Sequence, residues 1–453
     1  MNDAGLNLRR DVLQRREILR IGAVSLFAGA MARTASATPT AIGSNRKTKA
    51  TAKSCIYILL QGGPSHIDLW DLKPNAPAEV RGSFSPIATK VPGMMIGELM
   101  RRTAAVADKL TLIRSMEHKF SNHIAGTYIM LTGSTNQPDA DREAKADDFP
   151  GPGAILNSLE RDVRGVPVSV SLPNWLSIPG PSNRMPGQYA GWLGATHDPF
   201  LIAGDPNSMG FRPLELSISE DVGIGRFRSR VGLLQQLDQE ARNLEGQVIR
   251  SRDRMYATAY EMLTDPRVRN AIDLTQEPDR VRERYGRTKL GQSLLLARRL
   301  VEAGVRFIGC NEFNQAWDHH GNMRDTLRDR VPPMDQAYSA LIEDLNERGL
   351  LDSTLVINTG EFGRTPVLNK DAGRDHWPFA YTTAVAGGGV RAGYVHGASD
   401  SKGAYVTSMP VSPADLLATM WHCLGIEPGQ EIRDRLDRPM TLCPGNVVDG
   451  ILA

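Results

Sequence analysis

The chain has 453 residues, of which 41% are hydrophobic and 23% are charged, and its formal net charge is +2 at pH 7. This length excludes a single small core and predicts one large domain with insertions, or two domains. The first 37 residues hold six arginines and three acids, so 47 of the 53 basic and 48 of the 51 acidic residues follow them. Net charge therefore gives no indication of a surface for nucleic acid.

The N-terminus predicts an export signal. The pair Arg15-Arg16 precedes an apolar run from Ile21 to Met31, and Ala35-Ser36-Ala37 has the small-x-small form that signal peptidases accept. This pattern is typical of a twin-arginine signal and indicates the periplasm or cell envelope. The apolar run is about half the length of a bilayer span, so we expect no permanent span after cleavage; an uncleaved anchor is the alternative.

The four cysteines are widely separated and form no CxxC pair, which argues against a zinc ribbon or a redox motif. One disulfide is possible in an oxidising compartment. Cys55 and Cys310 lie within or at the end of apolar strands, which favours buried thiols there. The cysteines are Cys55, Cys310, Cys423 and Cys443.

After a linker over 38–53, the folded part begins with a continuous apolar run at 55–60, which is typical of a central strand. The run leads into Gln61-Gly62-Gly63-Pro64 and then into Ser65, His66 and Asp68, three reactive side-chain types at one strand end. The glycines would let the backbone approach a ligand. A plain Gly-Pro turn is the alternative.

The next elements predict an α/β alternation: a helix over 97–108, a strand over 110–114, a helix that follows Ser121-Asn122-His123, a helix over 153–162 and a strand over 166–171. Ser121 or Asn122 can cap the helix, whose N-terminus would attract an anion.

Two insertions are expected at about 173–212 and 223–290. The first is rich in Pro, Gly and Asn and predicts an irregular rim over the site. The second lies in a mainly helical stretch, whose apolar stripes indicate core packing.

Two later strands are followed by candidate metal ligands. A strand over 305–309 precedes Trp317-Asp318-His319-His320-Gly321, where imidazole and carboxylate groups suit Zn, Mn or Fe. A strand over 354–359 ends in Gly360-Glu361-Phe362-Gly363-Arg364, and ligands of open α/β sheets bind beyond such strand ends. Glu361 is therefore a site candidate, with a solvated loop acid or an N-cap as the alternative. A strand over 382–386 and a helix over 412–424 follow.

Taken together, four motifs in this order resemble the bacterial family called domain of unknown function 1501. The resemblance implies one alkaline-phosphatase-like (sulfatase-like) domain over 54–453, a three-layer α/β sandwich with a central mainly parallel sheet between helices. It also implies a metal-dependent ester hydrolase ancestry, without a known substrate. The motifs are Gln61 to Asp68, Trp317 to Gly321, Glu361 to Pro366 and Gly373 to Pro378.

Compared with the superfamily, Glu361 takes the position of a metal-binding Asp, and Phe362 takes that of a neighbouring His. His376 resembles a late His ligand, and Asp318 and His320 resemble earlier Asp and His ligands. The cofactor implied is a divalent metal, Zn, Mn, Ca or Fe.

The first strand ends at Gln61-Gly62, where sulfatases place two Asp. His66 and Asp68 would then have to bind metal from the following loop.

The nucleophile departs from the superfamily pattern. The chain has no C/S-x-P-x-R match, so formylglycine chemistry is not expected. By position His123 takes the place of the nucleophile, with Ser121 beside it, and Ser65 is a further catalytic candidate. Arg364 could bind a tetrahedral anion with two parallel hydrogen bonds. The alternative is that Arg364 pairs with Glu361 or Asp375 to hold the loop.

Two functions stay open. In the first, a metal-dependent hydrolase cleaves a phosphate or sulfate ester of a small molecule or polysaccharide. In the second, a scaffold without a nucleophile binds an anionic polysaccharide or a partner protein at the cell envelope. We expect the strands at 55–60, 305–309 and 354–359 to end in one cleft, because ligands on different strands can share a metal only if their ends converge.

Overall fold

The computed structural model describes residues 50–160, 165–178, 184–211, 265–312 and 315–453. The predicted export signal over 1–37, the linker up to residue 49 and residues 223–264 of the second insertion lie outside the described residues.

Strands of the described residues are numbered in chain order. They are Ser54–Leu60 (β1), Pro86–Ala88 (β2), Met95–Gly97 (β3), Leu110–Met116 (β4), Ser169–Leu172 (β5), Phe200–Leu201 (β6), Phe307–Glu312 (β7), Thr354–Thr359 (β8), Gly363–Arg364 (β9), His376–Trp377 (β10), Tyr381–Ala386 (β11), Tyr394–His396 (β12), Ala398–Ser399 (β13), Val406–Ser408 (β14), Glu431–Arg433 (β15) and Pro439–Thr441 (β16).

The α-helices are numbered in the same way. They are His66–Leu69 (α1), Ala78–Arg81 (α2), Arg101–Val106 (α3), His123–Thr132 (α4), Pro152–Leu159 (α5), Pro266–Ile272 (α6), Asp279–Tyr285 (α7), Lys289–Ala303 (α8), Met323–Glu347 (α9) and Pro413–Cys423 (α10).

An eight-stranded sheet with the order β12-β4-β11-β8-β1-β7-β5-β6 forms the centre of the fold. Strand β11 pairs antiparallel with both of its neighbours, and the other pairs in this sheet are parallel. The expected α/β class with a mainly parallel central sheet is therefore confirmed.

Helices cover both faces of this sheet, and strand β1 shows why. Because side chains alternate along a strand, Ile56 and Ile58 face one layer, with α8 and α9. Tyr57 and Leu59 face the other layer, with α4, α5 and α10. A strand buried on both faces explains the unbroken apolar run in the sequence. The three-layer arrangement is thus the one expected.

Several predicted elements are shifted along the chain, and the strand expected over 166–171, for example, is Ser169–Leu172. The helix expected over 97–108 begins only at Arg101, because Gly97 pairs with Pro86 in the β2–β3 hairpin. Strand β7 extends beyond residue 309, since Asn311 and Glu312 continue the parallel ladder with β1. Polar side chains that the sequence places after this strand are therefore part of it.

The cysteines are all free and buried, so the buried thiols expected at Cys55 and Cys310 are confirmed. Among the helices that the structure describes, none is long and apolar enough to cross a membrane.

Candidate metal centre

Strands β8, β1 and β7 are parallel neighbours, so their carboxyl ends lie at one edge of the sheet. The expectation that these three strands end at one place is confirmed. The loops that follow them carry Gly62, Asp318 and Glu361, and side chains from these loops approach one another.

Asp318 is the centre of a compact group of side chains. Its Oδ1 lies 3.0 Å from His320 Nε2 and 3.2 Å from His376 Nε2, and its Oδ2 lies 3.3 Å from His123 Nε2. His320 Nε2 and His376 Nε2 are 3.1 Å apart. We call these four residues, His123, Asp318, His320 and His376, the His–Asp cluster.

Each imidazole of the cluster is oriented by its other ring nitrogen. In all three rings Nδ1 contacts an oxygen that acts as acceptor, which places the hydrogen on Nδ1 and leaves the Nε2 lone pair facing Asp318. This arrangement is the one found around metal-bound histidines. The acceptors are Glu361 Oε1 for His123 (2.7 Å), Asp375 Oδ1 for His320 (2.6 Å) and the Ser121 carbonyl for His376 (2.6 Å).

Two Nε2 lone pairs that face each other at 3.1 Å repel unless a positive charge lies between or beside them. A proton can supply part of this charge. Burial alone would lower the pKa of His123, but the carboxylates of Asp318 and Glu361 outweigh burial and raise its pKa to about 9. Burial, His123 and Arg364 hold the pKa of His376 below its usual value.

A metal ion fits the same place. The edge of a tetrahedron around an ion with bonds of 2.0–2.1 Å is about 3.3–3.4 Å, close to the 3.0–3.3 Å contacts around Asp318. Ligand atoms of His123, Asp318 and His376 all lie within 4.8 Å of one another. In addition, among the described residues the buried His123 Nε2 has no hydrogen-bond partner. The donor set therefore fits a divalent cation.

Glu361 lies behind the cluster. Its carboxylate is fully buried and accepts from Gly62 N (2.7 Å) and Gly63 N (3.1 Å) as well as from His123. The structure thus places Glu361 as the group that orients His123, one layer outside the atoms that could bind a metal directly. Phe362, at 1% exposure, packs against the rings of His123 and His376.

Arg364 is only 1% exposed and holds the same turn from its other side. Its guanidinium donates to the carbonyls of Gly63 (2.8 Å), Arg374 (2.9 Å) and Gly62, and to Asp318 Oδ1 (2.6 Å). Burial alone would raise the pKa of Asp318, but its contacts with His123, His376 and Arg364 outweigh burial and hold that pKa well below its usual range. Arg364 is placed to position Asp318, which differs from both partners expected from the sequence, Glu361 and Asp375.

Ser65, His66 and Asp68 lie apart from the His–Asp cluster. Ser65 Oγ donates to Asp68 Oδ2 (2.5 Å), which also pairs with the buried Arg374 (2.8 Å). His66 Nε2 contacts the Gly403 carbonyl (2.8 Å), and burial lowers its pKa. The contacts of Asp68 with Arg374 and of His66 with Gly403 join the first loop to later segments of the chain. The sequence could not indicate these two partners, because they are about 300 residues away.

His123 is the first residue of α4. The Asn122 side chain caps this helix by accepting from Ile124 N and Ala125 N, as predicted. Asp139 accepts from the backbone N–H groups of Ser121 and Asn122 and from Ser121 Oγ, so a carboxylate of the chain itself lies directly before the helix start.

The sequence indicated Asp375 only as a partner of Arg364, and it indicated no role for His118. Asp375 orients His320, and the signal for it was its position directly before His376. His118 contacts the main chain of Glu361 (2.6 Å), and its signal was a second histidine shortly before the α4 start.

A family model described as "Protein of unknown function (DUF1501)" matches residues 52–452. The chain belongs to the DUF1501 family. The family description assigns no reaction to its members. No curated protein matches the sequence.

This DUF1501 chain is similar to several solved structures at low sequence identity. The lipoteichoic acid synthase LtaP from Listeria monocytogenes shares 9% identity, with a TM-score of 0.39, over 92% of this chain and 79% of that one. The phosphonate monoester hydrolase SpPMH from Silicibacter pomeroyi shares 12%, with a TM-score of 0.39, over 89% and 76%. The PsFucS1 sulfatase from Pseudoalteromonas sp. shares 12%, with a TM-score of 0.36, over 84% and 68%.

Proposed function

We propose that this protein is an exported, metal-dependent hydrolase of phosphate or sulfate esters. The observation that carries the proposal is the convergence of three imidazole Nε2 atoms on Asp318, with two of them 3.1 Å apart. Such a set needs a cation, and it lies at the carboxyl edge of the sheet, where α/β proteins bind ligands. We also propose that residues 1–37 direct the chain to the periplasm or envelope, which replacement of Arg15 and Arg16 by Lys would test by blocking export of a reporter fusion.

In this proposal His123, Asp318 and His376 would hold the metal. His320 would lie beside it, because a catalytic metal keeps a position open for water or substrate. A bound divalent metal polarises an ester oxygen and lowers the pKa of a bound water. Imidazole-rich sets suit Zn, Mn or Fe, whereas Ca prefers oxygen ligands, so Ca is the least suited of the four metals considered.

The remaining residues of the site support these side chains. Glu361 keeps the Nδ1 hydrogen on His123, Asp375 does the same for His320, and Arg364 holds Asp318 in place. The ring of Phe362 removes water from one side of the cluster, which strengthens electrostatic interactions there.

Water is the nucleophile that fits this arrangement best. The hydroxyl of Ser65 is buried against Asp68, and that of Ser121 donates to Asp139. His123 Nε2 faces Asp318, and its other nitrogen is held by Glu361, so His123 serves as a ligand in this proposal. The absence of a C/S-x-P-x-R sequence agrees with a mechanism that uses no formylglycine.

The proposal is tested with a panel of generic phosphate and sulfate esters and added Zn²⁺, Mn²⁺ or Fe²⁺. Wild type should hold stoichiometric metal by elemental analysis and hydrolyse at least one ester. His123→Ala and Asp318→Asn should lose about 10²-fold or more in rate, the size expected for one contact essential to the transition state. His422→Ala, a half-buried histidine outside the cluster, is the matched control. A metal-free wild type without turnover on any ester would contradict the proposal and favour a binding protein.

A further inference from the structure

His118 lies outside the His–Asp cluster but is joined to two segments that build it. It follows strand β4, and its side chain reaches the main chain just beyond strand β8. Its ring nitrogen Nε2 lies 2.6 Å from the carbonyl oxygen of Glu361. The ring also packs edge-on against Tyr381, with 5.5 Å between centroids.

The two contacts of the imidazole fix where its hydrogen lies. The backbone N–H of Phe120 donates to His118 Nδ1 (3.1 Å), so Nδ1 must carry a lone pair. The Glu361 carbonyl is an acceptor, so Nε2 must carry the hydrogen. The ring is thus a neutral imidazole with a defined tautomer, and burial, which lowers the pKa of His118 to about 4, keeps it neutral at pH 7.

The main chain of His118 is tied to the other side of the cluster. Its backbone N–H donates to the Pro378 carbonyl (2.9 Å), two residues after His376. One residue therefore joins the strand end that carries Glu361 to the segment that carries His376. Glu361 and His376 both set the orientation of the cluster, since the Glu361 carboxylate holds His123 and the His376 ring contacts Asp318 directly.

We propose that His118 is a positioning residue of the metal centre, which holds the Glu361 backbone so that the Glu361 carboxylate can orient His123. This inference rests on the metal site of the proposed function. Residues that orient metal ligands from outside typically change metal affinity by about 10–100-fold when they are replaced.

The test compares two substitutions of His118. His118→Leu has an apolar side chain of similar size and no hydrogen to donate to Glu361. His118→Gln keeps an N–H group at the end of the side chain. Titration with Zn²⁺ alone or Mn²⁺ alone should show affinity reduced about 10–100-fold in His118→Leu and within about threefold of wild type in His118→Gln. His422→Leu should bind metal as wild type does.

Unchanged affinity in a folded His118→Leu would overturn the inference. If that variant does not fold, NMR of wild type with ¹⁵N-labelled histidine decides, because the His118 signals are identified by their loss in His118→Gln. We expect a neutral ring with hydrogen on Nε2 at pH 7, and hydrogen on Nδ1 or on both nitrogens would overturn the inference. Wild type that binds neither metal contradicts the proposed function, whereas the NMR result still decides the placement of His118.

Discussion

Gly62 lies where the backbone of the first loop packs against the backbone of Trp317 and Asp318. A Cβ at this position would lie 2.4 Å from Asp318 N and 2.6 Å from the Trp317 carbonyl carbon, distances that real Cβ atoms essentially never show. The residue also has a φ of +116°, which residues other than glycine rarely adopt. Any larger residue would displace Asp318, and with it the cluster.

Replacing Gly62 by Ala should therefore weaken metal binding as well as stability. We expect at least about 10-fold lower Zn²⁺ affinity. This is the lower end of the effect seen when a residue that orients a metal ligand, without binding the metal itself, is replaced. The matched control is Gly93→Ala, with φ +81° but nothing within 4 Å of the added Cβ, which should cost only about 1–2 kcal/mol of backbone strain. Isothermal titration and urea unfolding measure both quantities, and equal metal affinity in the two variants would contradict this account.

The residues of the site could be predicted from the sequence only in part. Asp318, His320 and His376 stood in short motifs of metal-binding residue types, and the structure brings them together with His123. Their distances from one another depend on loops that approach across the sheet, which no local pattern shows. Ser65, His66 and Asp68 have side chains equally suitable for such a site. They differ from the residues of the His–Asp cluster in the distant partners that they contact, such as Arg374 for Asp68.

At the scale of elements, the long strands were predictable because burial on both faces leaves a continuous apolar run. The antiparallel direction of β11 was not predictable, since an apolar run has the same pattern in a parallel and in an antiparallel strand. Two-residue strands such as β9 and β10 were also missed, because they are too short to show a period. These short strands pair His376 with Arg364, so two of the smallest elements carry residues of the site.

Helices α8 and α9 are joined by buried charges. Arg298 is 1% exposed and forms ion pairs with Glu277 (2.7 Å) and Asp344 (2.9 Å). Burial opposes ionisation of both carboxyl groups, but the neighbouring arginines outweigh it and lower both pKa values. Their contribution to stability is therefore fully present above the unfolded-state values of about 4, and it is lost as the pH falls through the lower folded-state values.

Replacing Arg298 by Met should destabilise the protein by about 1.5–3 kcal/mol at pH 7, because two buried carboxylates lose one charged partner each and keep Arg299 and Arg348. The difference from wild type should shrink as the pH falls from 7 towards 3, where wild type also loses this contribution. Urea unfolding at several pH values measures it. Arg267→Met, which removes an exposed ion pair with Asp265, should cost at most about 1 kcal/mol. A pH-independent difference for Arg298→Met would show that the ion pairs are not its cause.

For the whole molecule, the candidate metal ligands come from three distant parts of the chain. His123 begins α4, Asp318 follows β7 and His376 belongs to β10, so the unfolded chain holds no preformed site. A metal that binds only the folded state stabilises it by about 2.7 kcal/mol at a free concentration of 100 times its Kd. We therefore expect Zn²⁺ or Mn²⁺ to raise the Tm by a few degrees and EDTA to reverse the change, measured by scanning calorimetry. Asp318→Asn should abolish the response to metal, and Asp352→Asn, at an exposed position, should keep it. An equal Tm with and without metal in wild type, or an equal response in both variants, would exclude a metal shared by these three segments.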